Sequence, residues 1–351
     1  MNTEIKMVDP DRIDQEIIDH AGDILKKGGL VAFPTETVYG LGGDALNPDA
    51  SRKIYAAKGR PSDNPLIVHI ADMDHLYPIV TDVPEQAKRL AEAYWPGPLT
   101  MIFPKTDKVP LETSGGLPTV AVRMPVHPVA AALIRAEGGY IAAPSANTSG
   151  RPSPTVARHV IEDLSGRIDM IIDSGPVNIG LESTIVDFTE DIPVILRPGY
   201  INKEMLEEVL GEVKIDPGIL DANANKGIRP KAPGMRYRHY APRCDLAVVE
   251  GSREAVVATI NGLTEAAHAE GKKVGVIATD ETRSLYVADD IRDIGSRSDD
   301  EEIARHLFEV LRDFDTDGVE VAFSESFETP RMGMAIMNRL LKAAGHHIIR
   351  C

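Results

Sequence analysis

The stretch Ala32-Phe-Pro-Thr-Glu-Thr-Val-Tyr-Gly-Leu-Gly-Gly43, running on to Lys58-Gly-Arg-Pro-Ser-Asp-Asn-Pro65, decides the architecture of this chain. Leu30 to Phe33 is a short apolar run that predicts a buried strand, and it ends in a polar turn. Upstream, Asp9-Pro10 opens a helix with Ile13, Ile17, Ile18, Ala21 and Leu25 at helical spacing, and Gly28-Gly29 stops it. Downstream, Asn47-Pro48-Asp49 caps a second helix that carries Ile54 and Tyr55 and ends near Lys58-Gly59. Helices flanking a buried strand make an α/β fold. In open α/β sheets, ligands sit beyond the carboxyl ends of strands. Thr35 and Thr37 place hydroxyls there, while Gly40, Gly42 and Gly43 permit close backbone approach. A plain structural turn is the competing reading of this segment.

Working outward, Leu66–Ile70, Leu99–Phe103, Val120–Met124, Tyr140–Ala143, Met170–Asp173, Thr184–Phe188 and Val194–Leu196 read as short strands. Helices around 84–94, 127–136, 155–164 and 202–211 separate only some of them, which predicts a mixed, twisted sheet with flanking helices. From Asp216 to Arg243 periodicity disappears amid prolines and glycines, the signature of a linker. Between Ala222 and Arg243 stand six basic residues and no acidic one. Met235, Tyr237, His239 and Tyr240 argue against a simple solvated tether and for an ordered segment over an anionic site. Beyond it, Leu246–Val249, 252–270, Val274–Ala278, Leu285–Val287, a helix opened by Asp299-Asp300, Val319–Phe323 and Met332–Ala344 alternate as strands and helices. That pattern predicts a smaller Rossmann-like α/β C-terminal domain, without a Gly-x-Gly-x-x-Gly fingerprint.

The bulk numbers narrow the function. At 351 residues two domains are expected. A net charge of -16 and 5% aromatic residues disfavour a surface built to grip nucleic acid, though a local basic channel remains open. The two cysteines, Cys244 and Cys351, supply neither a zinc spacing nor a disulfide framework. With no signal pattern and no apolar run of about 18 residues, a cytoplasmic location is expected.

Four segments are rich enough in polar groups to carry chemistry, and no P-loop, His-Glu-x-x-His or Gly-x-Ser-x-Gly motif is among them. The first is Pro34–Gly40. In the second, Lys58, Arg60 and Asn64 lie in a loop stiffened by Pro61 and Pro65, with His69 beyond; helix capping and a satisfied core histidine are the plain alternatives. In the third, Arg123 interrupts the apolar strand that follows Thr119, so it must find an anion, either a ligand or a structural carboxylate. Gly138 to Ile161 then has no acidic residue but holds Ser145, Asn147, Thr148, Ser149, Arg151 and Ser153, a composition suited to an anion nest. The fourth pairs Ser183 at a strand start with Arg197 at a strand end.

Taken together, Pro-Thr-Glu-Thr-Val-Tyr-Gly-Leu-Gly, Lys-Gly-Arg-Pro-x-x-x-Pro-Leu, Ser-Ala-Asn-x-Ser-Gly, Glu-Ser-Thr-Ile-Val-Asp and Arg-Pro-Gly occur in the order seen in the threonylcarbamoyl-AMP synthase family. The chain resembles the long form of that family. A YrdC-like catalytic domain would span 14–201, a helix and basic linker 202–243, and a Rossmann-like domain 244–351. Ala232 departs from the serine common before Pro-Gly-Met. The resemblance implies synthesis of threonylcarbamoyl-AMP and pyrophosphate from L-threonine, bicarbonate and ATP, for the N6-threonylcarbamoyl modification of tRNA adenosine 37. It implies that Thr37, His69, Arg123, Ala143 and Ser183 hold threonine or its carbamate. Arg60, Asn64, Thr119, Ser145, Ser153, Arg197 and Tyr240 would contact ATP, with Lys58 and Asn147 as added contacts. Mg2+ would ride on the triphosphate, held by phosphate and water, and a downstream tRNA threonylcarbamoyl-transferase complex would take the product. Tyr240 belongs to the linker, so the linker is expected to fold over the nucleotide as a lid. Two other readings are an RNA-binding YrdC-like module, with weak tRNA contact, and a carbamoyl-phosphate-handling domain of the hydrogenase-maturation kind.

Overall fold

The computed structural model describes residues 2–220, 224, 230–233, 239–327 and 331–351. The chain divides into two compact units: Met1–Ser149, Ser153–Asn178 and Glu182–Arg236 in the first, and Gly150–Pro152, Ile179–Leu181 and Tyr237–Cys351 in the second.

In the first unit the elements are β1 (Glu4–Met7), α1 (Gln15–Lys26), β2 (Val31–Phe33), β3 (Gly40–Asp44), α2 (Pro48–Lys58), β4 (Ile67–His69), α3 (Glu85–Tyr94), β5 (Leu99–Pro104), β6 (Thr119–Arg123) and α4 (Pro128–Glu137). They continue with β7 (Ile141–Ala142), α5 (Ala157–Leu164), β8 (Met170–Asp173), β9 (Thr184–Asp187), β10 (Val194–Arg197), α6 (Lys203–Leu210), β11 (Lys214–Ile215) and α7 (Pro217–Leu220). Eleven strands form one mixed sheet in the order β1-β8-β2-β3-β7-β4-β6-β5-β9-β10-β11.

α1 begins later than the Asp9-Pro10 start expected from the sequence: Asp14 caps it by accepting from the Glu16 and Ile17 amides, and this is where the helical run starts. Asn47 caps α2 through the Asp49 amide, Pro48 fills its first turn, and Gly59 ends it in the left-handed region at φ 62. α1 buries Ile18, Ala21, Gly22 and Leu25. A Cβ on Gly22 would come within 2.9 Å of Ala136, so glycine lets α1 and α4 cross closely.

The sheet's two faces are covered differently, and this difference makes the site. On one face α2, α3, α5 and α6 bury Ile54, Leu90, Val160 and Leu206 against Val68, Met101 and Val122. On the other, α1 and α4 cover only the part formed by β2, β7 and β8, through Ile18, Leu25, Val129 and Leu133. The rest of that second face carries an apolar cluster of Ile67, Ile102, Ala121, Ile185 and Leu196, joined by Ala232 and by no helix. Among the described residues, that half of the sheet is left for loops to cover.

The structure corrects the reading of Gly40 to Gly43. These residues form β3, paired antiparallel with β2 and β7, rather than a turn. A Cβ on Gly42 would lie 2.9 Å from both Ile141 Cγ2 and Phe33 Cε1, so the glycine admits close packing of protein, not of a ligand. β1 was also not expected from the sequence; it adds in parallel to β8 at the sheet edge.

Glu137, at the end of α4, is 7% exposed, and burial pushes its carboxyl from an ordinary value near 4.5 up to about 7. Between those values the native state holds a proton that the unfolded chain has released, so stability falls as pH rises from 4.5 to 7. Glu137→Gln keeps an acceptor for the Tyr140 amide, now 2.9 Å from the carboxylate, and removes the buried charge. Denaturant titrations should show it more stable than wild type at pH 8 by about 2 kcal/mol, and no more stable at pH 4.

The second unit contains β12 (Asp245–Glu250), α8 (Arg253–Ala269), β13 (Val274–Ala278), β14 (Asp290–Asp293), α9 (Asp300–Asp317), β15 (Val321–Glu325), α10 (Gly333–Ala343) and β16 (Ile348–Arg350). Its five strands are all parallel, in the order β14-β13-β15-β12-β16, the Rossmann-like pattern anticipated from the alternation of elements. The strand expected at Leu285–Val287 lies instead at Asp290–Asp293, a polar edge strand. Leu285 and Val287 are 46% and 73% exposed, so the apolar run there is not a core strand. Cys244 is buried and its thiol is pushed up to about 12, mainly by desolvation, which keeps it protonated.

Candidate active site

One row of registered positions crosses the uncovered half of the sheet, Arg197 on β10, Ile185 on β9, Thr100 on β5, Arg123 on β6 and His69 on β4, and ends at Ile141 on β7 beneath α1 and α4. Residues aligned across neighbouring strands point to the same side. The row therefore sets two guanidiniums, an imidazole and a hydroxyl on the face without helix cover. Strand spacing puts the Arg123 and Arg197 backbones about 14 Å apart, with Thr100 between them.

The row is wired to the loops at its end. Arg123 Nη1 donates to Thr37 Oγ1 at 2.8 Å. Thr37 and Thr35 share a hydroxyl contact of 2.9 Å, and Thr35 Oγ1 donates to the Val38 carbonyl at 2.7 Å. With its proton on that carbonyl, Thr35 accepts from Thr37, and Thr37 accepts from Arg123. Thr100 and Ser183 share a 2.8 Å hydroxyl contact. Arg197 then grips the Ser183 segment, with Nε on the Ser183 carbonyl at 3.0 Å and Nη2 on its Oγ at 3.1 Å. Thr37, His69, Arg123, Thr100 and Ser183 are each 4% exposed or less.

Arg123 meets a carboxylate that sequence reasoning did not name. Its Nη2 lies 2.7 Å from Glu36 Oε1, and both side chains are 5% exposed. The contact is close but not aligned as a hydrogen bond: among the described residues neither Glu36 oxygen, nor Arg123 Nη2, has a hydrogen-bond partner. It is a charge contact with unused donors and acceptors. The structural-carboxylate reading of Arg123 thus holds, and the ligand reading is not displaced by it.

His69 is fully buried beside this cation, and burial first, then Arg123, hold its imidazole down to about 3. It is therefore neutral at physiological pH. Its Nδ1 lies 3.2 Å from the Ile67 carbonyl. The Ala143 amide also binds the Ile67 carbonyl, at 2.9 Å, which brings Ala143 beside β4.

A second group gathers at the end of α2. Lys58, 2% exposed, donates through Nζ to the Ser145 and Asn147 carbonyls, and Ser145 Oγ donates to Asn147 Oδ1 at 2.5 Å. Ser145 also bridges to Gly40 of β3. Lys58 is thus engaged as the strut of the Ser145–Asn147 turn. Arg60 donates to the Asn64 and Pro65 carbonyls at 3.3 and 3.2 Å, bracing the loop it begins. Asn64 is 2% exposed and its Oδ1 has no donor. Ser153 donates to Glu182 Oε1 at 2.5 Å, next to Ser183.

One expected residue, Thr119, stands apart from the row. Thr119 is at the opposite end of β6 from Arg123, about 13 Å away, with Ala121 of the apolar cluster between them. Tyr240 belongs to the second unit, where its ring stacks on Phe308 at 5.0 Å. Much of the basic linker, 221–223, 225–229 and 234–238, lies outside the described residues, so the lid expectation falls largely there. The described piece Pro230–Pro233 belongs to the first unit. Ala232 is fully buried in the apolar cluster on the site face, and Lys231 pairs with Asp187 at 3.0 Å and Glu190 at 2.9 Å. Of the groups sequence reasoning missed, Thr100 carried a signal, being a lone polar residue in Leu99-Thr-Met-Ile-Phe103. Tyr39, by contrast, is structural: it is fully buried and its hydroxyl donates to the Gly175 carbonyl at 2.6 Å.

Comparison with known proteins fits this geometry. Residues 23–199 match the family model Sua5_yciO_yrdC, described as Telomere recombination, and residues 201–345 match the model described as Threonylcarbamoyl-AMP synthase, C-terminal domain. The chain belongs to the Sua5–YciO–YrdC family. It is 51% identical to the threonylcarbamoyl-AMP synthase of Bacillus subtilis, over 95% of this chain and 94% of that one. It is 49% identical to that of Pyrococcus abyssi, over 97% of each. The crystal structure of P. abyssi Sua5 complexed with L-threonine superposes with a TM-score of 0.94 at 48% identity, covering 99% of this chain and 100% of that one. Escherichia coli YciO, at 27% identity and TM-score 0.52, covers 56% of this chain and 96% of its own. In this Sua5–YciO–YrdC member the second unit is what extends the chain beyond a YciO-sized protein.

Proposed function

We propose that this chain is an L-threonylcarbamoyladenylate synthase, a nucleotidyltransferase that makes threonylcarbamoyl-AMP and pyrophosphate from L-threonine, bicarbonate and ATP. The observation that carries the reading is the Arg197–Thr100–Arg123–His69 row, in a chain nearly half identical to a Sua5 solved with L-threonine. The threonine amine combines with bicarbonate to give a carbamate and water. A carbamate oxygen then attacks the α-phosphorus of ATP, and pyrophosphate leaves. Such a transfer needs positioning and charge neutralisation, not a covalent nucleophile. The site supplies both.

Arg123 takes the threonine carboxylate, a charge-assisted bond of about 1.5–3 kcal/mol. Thr37, neutral His69, Ser183 and the Ala143 backbone complete the threonine pocket. Arg197, at the other side of Thr100, faces the phosphates. Lys58 acts through the Ser145–Asn147 turn that it holds, and its charge adds to the field on the triphosphate. Arg60 and Ser153 complete the nucleotide contacts, with Thr119 reached by an extended nucleotide along β6. A nucleotide donor satisfies the orphan Asn64 Oδ1.

Mg2+ would arrive on ATP with phosphate and water as its ligands, as its hard octahedral preference favours. Such an ion would offset phosphate charge. The labile mixed anhydride would pass to a transferase that places it on tRNA adenosine 37. No helix among the described residues is long and apolar enough to cross a membrane, and the free Cys244 and Cys351 fit a reducing cytoplasm.

Pyrophosphate release that requires both threonine and bicarbonate tests the reading. The same assay should rank alternative substrates. Serine lacks one methyl, about 1–3 kcal/mol, so its kcat/KM should fall roughly 10–200-fold; valine leaves a hydroxyl partner unpaired and should fall further. Equal rates with valine would contradict the pocket.

A further inference from the structure

Glu36 is the one charged group beside the Arg123 row for which the reaction as described has no use. Its carboxylate sits in the middle of the Pro34–Gly40 segment, 4% exposed, and neither oxygen accepts a hydrogen bond. A buried carboxylate ordinarily takes two or more donors, because leaving it bare costs far more than a neutral group left bare. Among the described residues the cation in contact is Arg123 Nη2 at 2.7 Å, out of line for a hydrogen bond, and that nitrogen likewise lacks an acceptor there. The remaining Arg123 nitrogens are turned elsewhere, Nη1 to Thr37 and Nε to the Gly97 carbonyl at 3.4 Å. Side by side in a buried place, then, stand one unspent donor group and one unspent acceptor group of opposite charge.

A zwitterionic α-amino acid has the complementary pattern. Its carboxylate and ammonium lie on adjacent carbons of one small unit, and it brings no net charge into the buried space. Resting on the reading under Proposed function, we propose that Glu36 receives the ammonium group of threonine while Arg123 receives its carboxylate. The Arg123–Glu36 contact is then an amino-acid cradle rather than a strut. Threonine brings one charge to each partner, so the exchange is of poorly aligned contacts for aligned ones. The same pairing favours amino acids over hydroxy acids, a discrimination the hydroxyls of Thr37 and Ser183 do not provide.

Binding of L-threonine and of 2,3-dihydroxybutyrate, which is threonine with a hydroxyl in place of the ammonium, separates this role from a purely structural one. Dissociation constants are measured by calorimetry on the full chain and on Glu36→Gln. The expected result is a loss of at least tenfold for threonine in the variant, with the hydroxy acid changed by less than about threefold. Equal weakening of both ligands would show that Glu36 serves only to hold Arg123, and no weakening of either would remove it from the site; each overturns the proposal. Wild type alone gives a second readout should the variant not fold: threonine must bind at least tenfold tighter than the hydroxy acid, and equal binding overturns the proposal. Threonine-dependent pyrophosphate release by the same wild-type sample distinguishes the two levels. Its absence fails the reaction assignment, whereas its presence with unaltered threonine affinity in Glu36→Gln fails the Glu36 role alone.

Discussion

Arg123→Ala is expected to lower kcat/KM for threonine by roughly 10- to 150-fold, and to weaken the fold at the same time. The first effect is the lost charge-assisted bond to the substrate carboxylate, about 1.5–3 kcal/mol. The second comes from Glu36, which at 5% side-chain exposure would be left as a buried, unpaired charge. Breaking one side of a buried pair costs about 3–5 kcal/mol, whereas replacing both sides with apolar groups of similar volume is often neutral. The double variant Arg123→Met with Glu36→Leu should therefore unfold near the wild-type denaturant midpoint and still make no pyrophosphate. Urea titration and steady-state kinetics on the three proteins check both halves. If Arg123→Ala kept its threonine KM, the row would not be the threonine site.

Lys58→Ala should act on ATP. Its ammonium, 2% exposed, donates to the carbonyls of Ser145 and Asn147. Each carbonyl left without a donor costs about 1–3 kcal/mol, so the variant should lose about 2–6 kcal/mol of stability. The turn that carries Ser145 and Asn147 would loosen, and KM for ATP should rise at least tenfold while KM for threonine changes little. Lys58→Arg should not restore it, because the planar guanidinium fork cannot present the ammonium's compact donors to the same two carbonyls. A rise in the threonine KM equal to that for ATP would mean that the two groups of residues are not functionally separate.

What the sequence disclosed and what it hid have physical explanations. α1, α2 and β2 were legible because helical apolar spacing, an Asn47 cap and a Gly59 stop are local signals. β3 was not, because Gly40-Leu-Gly-Gly-Asp44 has the composition of a turn; only the neighbours Ile141 and Phe33 explain why glycine is needed there. β14 was misplaced for the opposite reason. Its Asp-Ile-Arg-Asp sequence is polar at a sheet edge, while the apolar Leu285 and Val287 nearby are exposed. In the site, an arginine in an apolar strand announced that Arg123 needs an anion, yet no spacing rule could point from it to Glu36, 87 positions earlier. Only the register that sets β6 beside β4 and β5, and the turn after β2, bring that pair together. Lys58 was singled out from the sequence as a phosphate contact, but its engagement with two backbone carbonyls depends on a segment beginning 87 residues later.

The most direct measurement is pyrophosphate release from ATP by the purified chain, with threonine and bicarbonate added singly and together. Release should appear only when both are present, in equal amount to threonylcarbamoyl-AMP detected by mass spectrometry. Pyrophosphate formed without threonine, or salt-sensitive tRNA binding with no ATP consumed under any of these conditions, would contradict the account.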